Sequence, residues 1–153
     1  MIRLVLALEQ CIVVVRDGLR RVKEVLESYL SELYEYNSRI RGTGYYLKPV
    51  HMVTKWRGNS KRTYYYYGRY WWRLEYRGRR GKTSLVRWVY VGREKPEGLP
   101  EPPRNPLEGL KFYVIDGDVY MSCNMFRKFK WIFEGLKVIC VEGCEEPSPQ
   151  PDR

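Results

Sequence analysis

The 153 residues include one histidine, His51, two glutamines and four asparagines. Catalytic devices built on histidine therefore have a single candidate, with no nucleophile or acid close to it in sequence. No C-x-x-C occurs. Cys140 and Cys144 form the one close pair, as C-x3-C, while Cys11 and Cys123 stand apart. Structural zinc sets usually show two close pairs, so no metal and no cofactor are expected. Neither GxxxxGK[ST] nor GxGxxG is present. The stretch GRRGKTS (78–84) ends like a phosphate loop, but it lacks the first glycine and lies in a hairpin tip rather than opening a helix.

Long apolar runs are absent too. The opening MIRLVLALEQCIVVVR is interrupted by Glu9 and Gln10, is followed by no small-residue cleavage site, and is too short to span a bilayer. It reads as mature, cytoplasmic sequence. Few amides and a charged fraction of 30% lean towards a thermophilic composition, in which intracellular disulfides do occur. The cysteines read as buried thiols or as a disulfide among Cys123, Cys140 and Cys144.

Acid is scarcest where base is densest. Between Arg39 and Arg93 lie 15 Lys and Arg against one acid, Glu75, whereas the other 98 residues hold 13 basic and 17 acidic ones. The same 55 residues carry 13 of the 23 aromatics. A uniformly basic protein would not concentrate both together. The net charge of +10 favours a polyanionic partner.

The pattern along the chain predicts an α+β protein. Apolar residues at 4, 8, 12, 15, 19, 22, 26, 29, 33 and 36 follow heptad spacing from Leu8, which predicts an amphipathic helical segment over 1–38. It is either one helix from about 2 to 38 or two pieces broken near Asp17-Gly18. The run CIVVV is β-branched and equally suits a strand, which leaves 18–37 as the firmest helical stretch. The stripe serves self-packing or a homodimer through Leu19, Val22, Leu26, Tyr29 and Leu33. Residues 39–93 read as a basic aromatic antiparallel sheet with a turn at Gly58-Asn59-Ser60, and 94–106, with five prolines, as an extended linker. Residues 107–144 read as a ββαβ unit: an Asp116-Gly117 hairpin, a short helix capped by Ser122 or Asn124 and ended by Gly135, and a last strand. Residues 145–153 read as a disordered tail.

The stretch KRTYYYYGRYWWRLEYRGRRGKTSLVRWVYVG divides by parity, because strand side chains alternate between faces. In its first arm the even positions from Tyr64 to Tyr76 carry no charge, and the odd ones are charged or amphipathic aromatic. A three-residue loop, Arg79-Arg80-Gly81, with Gly81 left-handed, pairs Leu74 with Val86, Trp72 with Trp88 and Tyr70 with Tyr90. The even face is then core. The odd face sets Arg73 beside Arg87, a like-charge pairing that calls for an external anion. On this reading Lys61, Arg62, Tyr65, Tyr67, Arg69, Trp71, Arg73, Arg77, Arg79, Arg80, Lys82, Arg87 and Arg93 contact phosphates and bases. Clustered tyrosines, YWW, a basic turn with GK, and WVYVG resemble the aromatic hairpin of uncharacterised small archaeal and mobile-element proteins, over about 35 of the 153 residues. That resemblance implies no activity.

The expectation is a DNA- or RNA-binding protein, DNA slightly favoured, and not an enzyme. An assembly factor on a ribonucleoprotein or viral particle, acting through the heptad helix, is the alternative. Asp116 and Asp118 flank a turn glycine, where Asp is favoured for turn geometry alone. As the metal pair of a nuclease they would need further carboxylates, and Glu142, Glu145 and Glu146 fall in or beside the tail.

Overall fold

The computed structural model describes residues 11–141. Expectations for residues 1–10 and 142–153, including Cys144 and the tail, lie outside them. The described chain is α+β, with one long helix, nine strands in two antiparallel sheets and a short helix near the end. Its described residues divide into two compact units, one of residues 11–25, 53–64 and 109–141, the other of 26–52 and 65–108.

In the first unit, β1 (Ile12–Val15) pairs with β8 (Asp118–Ser122) on one side and β9 (Val138–Cys140) on the other. The sheet order is β3-β4-β7-β8-β1-β9, with β3 at Val50–Arg57, β4 at Ser60–Tyr67 and β7 at Tyr113–Ile115. Val13, Val14 and Val15 are all buried, irrespective of parity. A strand buried on both faces reads as a continuous apolar run, and β-branched side chains stiff at χ1 suit it. A single helix from about residue 2 is thereby corrected. The chain is extended over 12–15, and α1 (Gly18–Arg39) begins only after Asp17 turns through φ +57°.

The β7–β8 turn secures that corner. Asp118 Oδ1 accepts the Asp17 N–H (2.8 Å), Asp118 Oδ2 accepts from Arg16 Nη1 (2.8 Å), and the Gly117 carbonyl accepts the Leu19 N–H (3.2 Å). A helix start leaves N–H groups without intrahelical partners, and a distant hairpin supplies the acceptors. A Cβ on Gly18 would stand 2.9 Å from that of Val119, so the close approach requires glycine.

The expected ββαβ elements are present, but β1 inserts between β8 and β9. The Asp116-Gly117 turn has both residues at positive φ (50° and 83°), the geometry of a two-residue hairpin loop. Ser122 accepts the Met125 N–H (3.1 Å) and caps α2 (Cys123–Phe129). A 3-10 turn, Lys130–Phe133, buries Ile132 and Phe133 before Gly135 at φ +83°. Cys123 and Cys140 are free, so none of the expected pairings among Cys123, Cys140 and Cys144 forms, and buried Cys11 is disulfide-bonded.

In the second unit the rest of α1 packs with β2 (Tyr45–Leu47), β5 (Trp71–Arg80) and β6 (Thr83–Gly92), which form a sheet in the order β2-β5-β6. Leu26, Tyr29, Leu33, Tyr36 and Ile40 are all buried. With Val22 also buried and Leu19 half-buried, the heptad stripe packs within this chain. No exposed seam remains there for the homodimer contact expected through Leu19, Val22, Leu26, Tyr29 and Leu33.

Asn37 on α1 is the one buried polar side chain among the described residues. Its Oδ1 accepts the Leu47 N–H (3.0 Å) and its Nδ2 donates to the Leu47 carbonyl (2.8 Å). A side-chain amide thus acts as one more strand residue beside β2. The proline-rich segment is docked rather than a free spacer: Leu99 and Leu107 are buried, Tyr36 Oη donates to the Pro100 carbonyl (2.7 Å), and Asn105 Nδ2 donates to the Tyr67 carbonyl (3.2 Å).

Candidate nucleic-acid interface

The β5–β6 hairpin has ten residues in each strand, whereas β2 reaches along β5 only to Arg73. Its register differs from the expected one. Leu74 lies opposite Trp88, Trp72 opposite Tyr90 and Tyr76 opposite Val86. The turn takes two residues, Gly81 (φ +64°) and Lys82, because Arg80 pairs with Thr83. A bulge between Tyr76 and Arg79, where Gly78 sits at φ +101°, then adds one residue to β5. Together they slide the pairing by two. Even positions therefore still share a face, but their partners change.

Burial reverses the expected faces at the base of the hairpin, while β6 is exposed on both sides over most of its length. At the base of the hairpin, Leu47 pairs with Trp71, both are buried, and Trp71 meets the Tyr36 ring edge-on at 6.3 Å. The odd side therefore lies against α1, and Trp71, expected on the gripping face, is core. The even side is uncovered: Tyr76 is 64%, Trp88 50%, Tyr90 53% and Val86 47% exposed, a surface that monomers rarely present without use.

These even residues begin a continuous strip. Tyr46 packs edge-on to Trp88 (5.2 Å) and is the strand neighbour of Trp72, whose ring meets Tyr90 (5.4 Å). Tyr90 leads to Tyr70 (6.0 Å), and Tyr70 to His51 (5.1 Å) and Tyr66 (5.6 Å). Cations lie among the rings. Lys48 sits 5.8 Å from the Trp72 ring centre, and Arg69 lies 5.5 and 5.8 Å from those of Tyr66 and Tyr70. Lys48 Nζ is 3.3 Å from His51 Nδ1. Partial burial, and then this ammonium, lower the His51 pKa from its ordinary 6.5.

The odd face beyond the base is an ion-pair network rather than a bare arginine row. Glu75 accepts from Arg73 Nη2 (2.6 Å) and Arg77 Nη2 (2.9 Å) and lies opposite Arg87. The hydrogen bond from Arg73, with the charges of Arg73, Arg77 and Arg87, holds its carboxyl below the usual carboxylate range. Arg73 faces Val89, so the expected like-charge pairing of Arg73 with Arg87 does not occur. The uncompensated cations are at the tip and the base. Arg79, Arg80, Lys82 and Arg93 are exposed and form no ion pair among the described residues.

Of the thirteen expected residues, the hairpin and the residue just past it thus gather Arg73, Arg77, Arg79, Arg80, Lys82, Arg87 and Arg93, with Trp71 beneath them. Arg69 joins the strip. Tyr65 and Tyr67 are half-buried and stacked (6.3 Å), and burial raises the pKa of the covered Tyr67 hydroxyl. Lys61 and Arg62 belong to the other unit's sheet, where Arg62 lies over Tyr113 (4.5 Å). Parity alone places Trp72, Tyr76, Trp88 and Tyr90 in the core; Trp72 is half-buried with its indole nitrogen covered, the other three are exposed, and Tyr46 and Lys48 carry no parity signal. The signal available was length, since ten-residue arms outrun anything able to cover them.

Asp118 spends both carboxylate oxygens on Arg16 and the Asp17 N–H, and no group of three potential metal ligands occurs among the described residues. No helix among them is long and apolar enough to cross a membrane. Comparison of the chain with protein-family models, with curated proteins and with solved structures yields no match.

Proposed function

We propose that this chain binds nucleic acid, DNA slightly before RNA, through the even face and the tip of the β5–β6 hairpin. The observation that carries this reading is the aromatic strip of exposed Trp88 and Tyr90 with half-buried Tyr46, Trp72 and Tyr70, interleaved with Lys48 and Arg69. Aromatic faces accept unstacked bases irrespective of sequence, and neighbouring cations follow the phosphates. The tip cations Arg79, Arg80 and Lys82 add a second contact to the backbone. This arrangement favours a single-stranded segment lying along the strip.

The test is a salt-titrated binding measurement against single-stranded DNA, duplex DNA and RNA, using protein freed of co-purified nucleic acid. Affinity should fall steeply with salt. Changing Arg79, Arg80 and Lys82 together to alanine should reduce the slope of log K against log salt by about 2, at roughly 0.7 per single-strand phosphate. Trp88→Ala should weaken single-strand binding roughly tenfold while leaving that slope in place. A wild-type slope near zero sinks the proposal.

A further inference from the structure

One face of the first unit's sheet carries a second set of rings and cations. Directly paired residues on neighbouring strands share a face. Tyr64 of β4 pairs with Tyr113 of β7, and Tyr113 pairs with Tyr120 of β8. Their strand neighbours Val114, Val119 and Met121 alternate to the opposite face and are buried. The three tyrosines are half-buried and stand in a row. Ring centres are 5.5 Å apart for Tyr64 and Tyr113 and 5.1 Å for Tyr113 and Tyr120, the second pair stacked at 12°. The row stops at Val14 of β1, which pairs with Tyr120 and is buried.

Three cations accompany the rings. Lys55 Nζ lies 5.2 Å from the centre of the Tyr64 ring, and the Arg62 guanidinium lies 4.5 Å from that of Tyr113. Burial raises the pKa of the Tyr113 hydroxyl, and the charges of Arg62 and Arg57 oppose that rise. No acid balances them. Strands β3, β4 and β7 contain neither Asp nor Glu, and Asp118 of β8 is held by Arg16 and the Asp17 N–H. Lys55, Arg57 and Arg62 form no ion pair among the described residues. Arg62 Nε is also covered without a hydrogen-bond partner. A row of tyrosines can close a sheet without any cation. Positive charges gathered on it repel one another, and an anion from outside relieves them.

We propose that this row is a second contact for single-stranded nucleic acid, with bases against Tyr64, Tyr113 and Tyr120 and phosphates along Lys55, Arg57 and Arg62. An acidic peptide would engage the cations and leave the rings unused. A duplex keeps its base faces stacked inside. A single strand offers ring faces and phosphates together and engages both sets. The kind of partner rests on the nucleic-acid reading of the hairpin, but the surface is a different one, since all six residues belong to the first unit.

The test uses the full chain and a fluorescently labelled oligodeoxythymidylate. Its background is a hairpin-disabled variant combining Arg79→Ala, Arg80→Ala, Lys82→Ala and Trp88→Ala, which should still bind. Adding Lys55→Gln and Arg57→Gln, at exposed side chains, should lower its slope of log K against log salt by about 1.4, at roughly 0.7 for each phosphate. Adding Tyr113→Leu instead, which keeps apolar bulk on the sheet, should weaken its binding roughly tenfold. Photocrosslinking of the wild-type chain to a bromodeoxyuridine oligonucleotide should label the tryptic peptide 112–127, which holds Tyr113 and Tyr120. A hairpin-disabled variant that no longer binds, where the wild type does, overturns this inference and leaves the hairpin reading standing. So does a slope indifferent to Lys55 and Arg57, or crosslinking confined to hairpin peptides. Undiminished binding by the hairpin-disabled variant, lost with Lys55, Arg57 and Tyr113, supports this surface and overturns the hairpin reading. A wild-type chain that binds no oligonucleotide overturns both.

Discussion

Two hairpins in this molecule begin from similar sequence patterns and end differently. Strands β7 and β8 alternate in burial around a tight Asp-Gly turn, with Val114, Val119 and Met121 buried, and each strand has a further neighbour in the sheet. Strands β5 and β6 show no such alternation in burial, since β6 has one neighbour and most of its residues are exposed. Alternation specifies two faces. Which face is buried depends on what is available to cover it. In the second unit α1 covers the odd side at Trp71 and no more, so the larger aromatics are left outside.

The largest expected effect breaks this contrast within a single hairpin. Trp71→Ala removes a buried ring and should destabilise the protein by about 3–5 kcal/mol in urea unfolding. Trp88→Ala, on the opposite face, should change stability by no more than about 0.5 kcal/mol. Equal losses at both positions would mean that the even face is covered in solution, by a second copy or otherwise. A larger loss at Trp88 would restore the assignment made from parity alone.

Much of the first unit is legible in the sequence. Asp116-Gly117, Ser122 and Gly135 announce a turn, a cap and a stop because each answers a local backbone demand, and all three lie where expected. The helix from residue 18 is equally plain from its stripe. The insertion of β1 between β8 and β9 is not, since that pairing joins residues over a hundred positions apart. The hairpin register is missed for a subtler reason. A bulge at Gly78 and a two-residue turn shift the pairing by two without disturbing parity, and this moves Arg87 from Arg73 to Glu75. The cation-rich aromatic segment is recognisable as a candidate surface, but its outward face follows from where α1 packs, which no local pattern encodes. Asn37 gives no local signal for the bonds it makes to β2.

A smaller effect tests the long-range fastening in the first unit. Asp118 side-chain bonds join β8 to the entry of α1, and nothing comparable anchors the tip of β5–β6 among the described residues. The Asp17 N–H, then Arg16, hold the Asp118 carboxyl below its ordinary 3.8. Its contribution is therefore present above pH 3.8 and lost as pH falls through the lowered value. Asp118→Ala should cost about 1–2 kcal/mol at neutral pH, in the range of a lost helix cap. A loss that persists undiminished well below that value would show that the residue acts through packing rather than charge.

The smallest effect is carried by His51, the one histidine, which lies within the aromatic strip beside Lys48 and the Tyr70 ring. Its pKa in the folded chain is below 6.5, from burial first and Lys48 second. As pH falls below 6.5 the unfolded chain takes up this proton before the folded one does. The associated stability is thus fully present above 6.5 and declines as pH drops through the lowered folded value, and His51→Gln should flatten that part of the profile. A polyanion on the strip reverses the balance, because phosphate charge favours the protonated imidazole. Adding single-stranded DNA should therefore raise the His51 pKa in an NMR titration, where one histidine gives one unambiguous signal. An unchanged His51 pKa in a complex that forms and is salt-sensitive would place the nucleic acid at the hairpin tip instead of the strip. A rise matched in the Trp88→Ala variant would separate charge attraction from stacking along the same face.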